Sequence, residues 1–78
     1  MAYTIYTKKN CPYCERVKTV LSSIGESYTE QKLDVNFTRE EFVSQFGGGA
    51  TFPRVLKEGR LLGGCNETVV YLRQQGLV

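Results

Sequence analysis

AYTIYTKKNCPYCERVKTVLSSIG, residues Ala2 to Gly25, is the stretch that decides the fold. Its first six residues, Ala2 to Thr7, are rich in Tyr, Thr and Ile, side chains that suit a pleated, half-buried surface, and they predict a strand. After a short polar connection, Val17, Val20, Leu21 and Ile24 recur at the i, i+3, i+4, i+7 spacing of one helical face, and Gly25 is placed to end that helix. A strand therefore feeds a helix, with two cysteines at the junction.

Downstream, Tyr28 to Leu33 predicts a weaker strand whose Glu30 and Lys32 suit a sheet edge, where charge discourages pairing with other chains. Thr38 with Glu41 three residues on forms a capping box, and Phe37 before the cap can pack on Phe42 as a hydrophobic staple; this helix ends at the glycines 47–49. Arg54 to Lys57 and Arg60 to Gly63 flank the turn residues Glu58 and Gly59 as a short hairpin, and a last helix is expected from about Glu67 to Gln75. The order is β-α-β-α-β-β-α. Strands joined through a helix run parallel and hairpin strands run antiparallel, so the expected fold is α/β: a four-stranded mixed sheet flanked by three helices.

The length of 78 residues bounds the chain to one small domain, residues 1–78, with its chemistry near the surface. Having no His, it cannot build a Ser-His-Asp or Cys-His nucleophile pair, nor a His-ligated metal site. A net charge of +2 is too balanced for a nucleic-acid footprint. Charge is unevenly spread: Lys8, Lys9, Arg16 and Lys18 against Glu15 give the first twenty residues a local +3, around the first cysteines. No run has the apolar length of a membrane span, and residues 1–10 lack the apolar core of a signal peptide, so the expected address is the cytoplasm. Three cysteines are an odd number for a stapled secreted domain, and a close pair in a reducing compartment reads as catalytic.

Cys11-Pro12-Tyr13-Cys14 lies where the first helix begins, so unsatisfied backbone N–H groups and the positive helix end stabilise a thiolate there. A free thiol titrates near ~8.5, and such settings lower this to roughly 3.5–7.5. Cys11 is the low-pKa candidate, exposed at the tip, with Lys8 and Lys9 acting in the same direction. Spacing of three residues in a helical turn returns Cys14 beside Cys11, within reach of a disulfide, and Pro12 fits the first helical position. A Cys₄ zinc site needs a fourth sulfur that the chain lacks; an iron–sulfur cluster shared by two chains is a remaining alternative. Thr51-Phe52-Pro53 is either a loop entering a strand or a cis-Pro turn that presents the backbone of Phe52 to an extended peptide. Gly63-Gly64-Cys65-Asn66-Glu67 is either a turn with Asn66 as N-cap or a helix start that binds a carboxylate. Cys65 is expected to be a small, partly buried residue rather than a third redox thiol.

In this order, these pieces resemble the glutaredoxins from Tyr3 to about Leu72, most specifically in Tyr6-Thr7-Lys8, Cys11-Pro12-Tyr13-Cys14, Thr51-Phe52-Pro53 and Gly63-Gly64-Cys65-Asn66-Glu67. The resemblance implies a thioredoxin-like fold, a cis Pro53, and glutathione as reducing co-substrate with no bound cofactor. It further implies that Cys11 attacks a substrate disulfide and that Cys14 resolves the mixed disulfide. Lys8 would meet the glycine carboxylate of glutathione, with Tyr13 and Thr51 lining the groove. The Phe52 backbone beside Pro53 would pair with the cysteinyl part, and the N–H groups of Cys65 and Asn66 would take the γ-glutamyl carboxylate, with Gly64 in the same corner. Arg39 is a further carboxylate candidate. Implied partners are glutathione and disulfide-bonded or glutathionylated proteins, ribonucleotide reductase among the customary clients, acting on a monomer. Three positions depart from the family pattern: Phe52 for the usual Val, Asn66 for a common Asp, and Ala50 where Lys or Arg is frequent. Phe52 is expected to reshape the groove beside Cys11. A redoxin recharged by thioredoxin reductase and a cluster carrier are the competing readings.

Overall fold

The computed structural model describes residues 3–78, so the expected strand residue Ala2 lies outside the described residues. The elements are β1 (Tyr3–Thr7), α1 (Pro12–Ser23), β2 (Tyr28–Lys32), α2 (Arg39–Phe46), β3 (Arg54–Lys57), β4 (Arg60–Gly63) and α3 (Cys65–Gln74). The sheet order is β2-β1-β3-β4. β1 runs parallel to β2, with Tyr3 opposite Tyr28, and antiparallel to β3, with Ile5 opposite Val55. β3 and β4 are antiparallel, with a register shift between Val55 and Leu56.

Side chains alternate across a strand, and β1 divides the molecule accordingly. Tyr3, Ile5 and Thr7 are buried on one face, and there Tyr3 and Ile5 join Val17 and Leu21 of α1, Val55 of β3, and Cys65 and Leu72 of α3 in the core. Tyr6 points to the other face, which α2 covers: its ring lies 5.1 Å from those of Phe37 and Phe46 and 6.4 Å from that of Phe42. The helix ends follow local chemistry. Gly25, at φ 79°, turns the chain out of α1 while the N–H groups of Gly25 and Glu26 cap the carbonyls of Ser22 and Leu21 at 3.1 and 3.0 Å. At α2 the capping box is complete: Thr38 Oγ1 accepts the Glu41 N–H at 3.1 Å, and Glu41 Oε1 accepts the Thr38 N–H at 2.8 Å. The staple rings of Phe37 and Phe42 stack at 5.8 Å.

Two boundaries differ from expectation. β2 stops at Lys32, because Asp34 takes a left-handed conformation and Asn36 Oδ1 receives the Lys32 N–H at 2.9 Å; Leu33 is left with an isolated bridge to Phe37. α3 begins at Cys65, two residues before the expected Glu67, and its N-cap is Gly64 rather than Asn66. The cause is Glu67, whose carboxylate reaches back to accept the Gly64 N–H at 2.9 Å and supplies the cap from within the helix. Among the described residues no helix is long and apolar enough to cross a membrane.

Candidate active site

Cys11 is the N-cap of α1, in extended conformation at φ −120° and ψ 95°, and Pro12 begins the helix. The Sγ of Cys11 accepts the Cys14 N–H at 3.2 Å. This is the contact that favours a thiolate: a backbone donor of the first turn, unused within the helix, facing the sulfur at the positive helix end. Cys11 and Cys14 are joined as a disulfide with their Cα atoms 5.2 Å apart. Cys14 is fully buried, as its place one turn inside the helix required. The expected exposure of Cys11 is not met: only 9% of the residue is accessible, because its sulfur folds back over the first turn to meet Cys14. Tyr13, between them, stands out at 54% exposure.

Beside this turn lies a groove of 270 Å³ walled by Tyr13, by Thr51, Phe52, Pro53 and Arg54 ahead of and at the start of β3, and by Gly64, Cys65, Asn66 and Glu67 at the start of α3. The Phe52–Pro53 peptide bond is cis, as the family resemblance implied. Gly63 and Gly64 let α3 begin this close. Gly63 sits at φ 123°, and a Cβ there would come within 2.7 Å of the Glu67 Cβ; a Cβ at Gly64 would stand 3.2 Å from Arg54 Nη2 and from Glu67 Oε1. Glu67 is held below its ordinary carboxylate value by N–H groups, its own and that of Gly64, with Arg54 adding to the effect.

Lys8 does not line this groove. Its Nζ lies 5.6 Å from the centroid of the Phe52 ring, and the residue borders a separate cleft of 180 Å³ with Lys9, Asn10 and Lys32. Phe52 forms part of the groove wall, and its ring lies toward α2, stacking on Phe42 at 4.3 Å with 17° between planes. Arg39 opens α2 as an exposed residue and is not part of the groove wall. Cys65 is buried at 4% exposure, and burial pushes its thiol up, with Arg16 pulling partly back. It is a protonated thiol at neutral pH, unsuited to nucleophilic attack. Sequence reasoning missed Arg54 as a wall residue. It was read only as the first residue of a strand, although a charged side chain directly after Pro53 was a signal of a strand end open to a groove. Among the described residues, no group of three or more His, Cys, Asp or Glu side chains could hold a metal ion.

The arrangement is a cysteine pair on a helix start beside a groove that the start of a second helix also walls. The family model described as Glutaredoxin matches residues 3–62. Glutaredoxin 3 of Escherichia coli K12 is 37% identical over 73 residues, covering 94% of this chain and 88% of that protein. Among solved structures, a buckwheat glutaredoxin–glutathione complex superimposes with a TM-score of 0.75 at 26% identity, over 96% of this chain and 70% of that one. Glutaredoxin from Brucella melitensis gives 0.76 at 29% identity, over 97% and 82%. A redox cysteine pair on the first helical turn, the four-stranded thioredoxin-type sheet and these matches agree: the chain belongs to the glutaredoxin family.

Proposed function

We propose that this glutaredoxin, a thiol-disulfide oxidoreductase working with glutathione, reduces both protein disulfides and glutathione mixed disulfides, with distinct roles for its two cysteines. The Cys11 thiolate attacks one sulfur of the substrate disulfide, forming a mixed disulfide and expelling the other sulfur as a thiolate. Cys14 then attacks Cys11 Sγ, releases the second substrate thiol and leaves the Cys11–Cys14 disulfide. Two glutathione molecules return it to the dithiol and leave as glutathione disulfide. For a glutathionylated substrate, a second glutathione can take the place of Cys14.

The observation that carries this reading is the bonded Cys11–Cys14 pair, with Cys11 Sγ on the Cys14 N–H, adjoining the groove through Tyr13. Glutathione is a small peptide with two carboxylates, and the groove's features suit it. Because Glu67 occupies the Gly64 N–H, the Cys65 and Asn66 N–H groups remain to take the γ-glutamyl carboxylate, on the positive end of α3. Thr51 and the Phe52 backbone beside Pro53 take the cysteinyl part, and Lys8 meets the glycine carboxylate. Arg39, exposed at the start of α2, is the candidate for a second carboxylate contact. In this reading the protein acts as a cytoplasmic monomer, with ribonucleotide reductase as one client.

The test is a coupled assay of a small glutathione mixed disulfide, with glutathione, glutathione reductase and NADPH. Rapid NADPH oxidation is expected there, and none when thioredoxin reductase replaces glutathione and its reductase. The reverse preference would refute the proposal.

A further inference from the structure

Lys8 carries a long, flexible stem at an exposed position, and immobilising such a side chain on a ligand costs rotamer entropy. Among the described residues it makes no ion pair; its contact is the Phe52 ring, 5.6 Å from ammonium to centroid. A cation within about 6 Å of a ring face is attracted by the negative face of the π system. The ring itself is fixed. Phe52 stacks on Phe42 at 4.3 Å and on Phe37 at 6.2 Å, with interplanar angles of 17° and 25°, and both partners are buried against the sheet by α2. The same residue forms a wall of the groove, next to Pro53. One side chain therefore joins three things distant in sequence: the aromatic face of α2, the groove wall and the Lys8 ammonium.

We infer that Phe52 is the positioning residue of Lys8: its anchored ring, one wall of the groove, holds the ammonium beside that wall, ready for a carboxylate of a peptide-like thiol. The inference rests on the reading of Lys8 as a glutathione contact. An aliphatic residue at position 52 fills space but offers no π face, leaving Lys8 to be ordered by the ligand itself. In this role the ring acts through the Lys8 ammonium, which takes no part in the sulfur exchange, so its effect falls on KM and leaves kcat unchanged.

The experiment compares Phe52→Leu, Phe52→Tyr, Lys8→Ala and the double variant Lys8→Ala/Phe52→Leu, with KM and kcat measured on a small glutathione mixed disulfide. Phe52→Leu should raise KM roughly two- to fivefold, the range of an exposed cation–π contact, at unchanged kcat. Phe52→Tyr should restore the wild-type KM, and the double variant should bind no worse than Lys8→Ala. If Lys8→Ala leaves KM unchanged, the Lys8 contact itself is wrong and the inference falls with it. If Lys8→Ala raises KM but Phe52→Leu adds to it independently, leaves KM untouched, or lowers kcat without rescue by Tyr, the contact stands and the positioning role is refuted. Should Phe52→Leu not fold, proton NMR of the wild-type protein decides: Lys8 ε-protons shifted upfield of those of Lys9 and Lys32 support the inference, and unshifted ones overturn it; Lys57, which stands over Tyr3 and Tyr71, is left out of the comparison.

Discussion

Cys11→Ser and Cys14→Ser separate the roles of the two sulfurs because the structure lets both variants keep the fold. Cys11 is the N-cap of α1 and its side chain accepts the Cys14 N–H, a duty that Ser performs as well as any residue. Position 14 donates that bond through its backbone, so Cys14→Ser leaves the donor on the Cys11 sulfur intact. Its cost is a buried hydroxyl, about 1–3 kcal/mol if unpaired, and Cys14→Ala serves as the control without one. Both are to be compared with the reduced wild-type protein, since neither can form the Cys11–Cys14 bond.

The chemistry then diverges. Cys11→Ser lacks a sulfur nucleophile and should lose all exchange. In Cys14→Ser the Cys11 mixed disulfide must wait for glutathione from solution, in place of a thiol held with its Cα 5.2 Å away. A flexibly tethered group has an effective concentration in the millimolar range, and rigidly oriented groups far exceed it. Against about 1 mM glutathione, loss of the held thiol should slow protein-disulfide reduction by ~10²-fold or more, while deglutathionylation stays within a few-fold of wild type. The assay pair is a small glutathione mixed disulfide and a disulfide-bonded protein, both coupled to glutathione reductase. Equal loss of the two activities in Cys14→Ser, or turnover of either substrate by Cys11→Ser, would refute the assigned roles.

Cys65→Ser should retain most activity in the assay coupled to glutathione reductase, and in reduced wild-type protein iodoacetamide at neutral pH should label Cys11 far faster than Cys65, whose buried thiol is pushed up in pKa, as mass spectrometry of the labelled protein would show. Gly63→Ala should destabilise by about 1–3 kcal/mol, from a conformation that only glycine readily adopts, and lower Tm by several degrees, because the new Cβ would stand 2.7 Å from the Glu67 Cβ. Glu30 is desolvated, which alone would raise its pKa, but the Thr7 hydroxyl at 2.7 Å and Lys18 at 3.2 Å outweigh this and hold it below its ordinary value. That depressed pKa contributes stability above the unfolded-state value, and the contribution is lost as pH falls through the folded-state value. Urea unfolding as a function of pH should therefore show an acid-side decline that is shallower in Glu30→Gln, and an unchanged slope would exclude Glu30 as a source of it.

Legibility from sequence followed the range of the interactions. The β1–α1 unit, the Thr38–Glu41 capping box, the Phe37–Phe42 staple and the hairpin turn are made by residues within a few positions of one another, and periodicity and cap chemistry expose them directly. The cysteine pair is equally local, since one helical turn returns Cys14 to Cys11. The start of α3 misled because two residues could supply the cap. Asn66 is a good N-cap by type, whereas Glu67 acts by reaching back three residues to the Gly64 N–H. Phe52 was legible as a departure beside Pro53 but not as a partner of Phe42 and Lys8, because those contacts require α2 and the end of β1 to converge on it.

The groove depends on a feature that no local pattern encodes, the register of β4 on β3. Lys57 pairs with Arg60 and Leu56 with Leu61, so an unbroken ladder would set Val55 opposite Leu62 and Gly64 opposite Pro53. Instead Val55 pairs with Gly63, and Leu62 is the extra residue of an irregularity. That single residue moves Gly64 to the level of Arg54, whose Nη2 would lie 3.2 Å from a Cβ at that position. It sets the start of α3 one residue further along β3, level with Arg54 rather than Pro53, and Arg54 shares the groove wall with Gly64, Cys65, Asn66 and Glu67. The glycines at 63 and 64 announced a close approach in the sequence; what they approach is set by the shift at Val55, a pairing between strands whose side chains alone do not specify it.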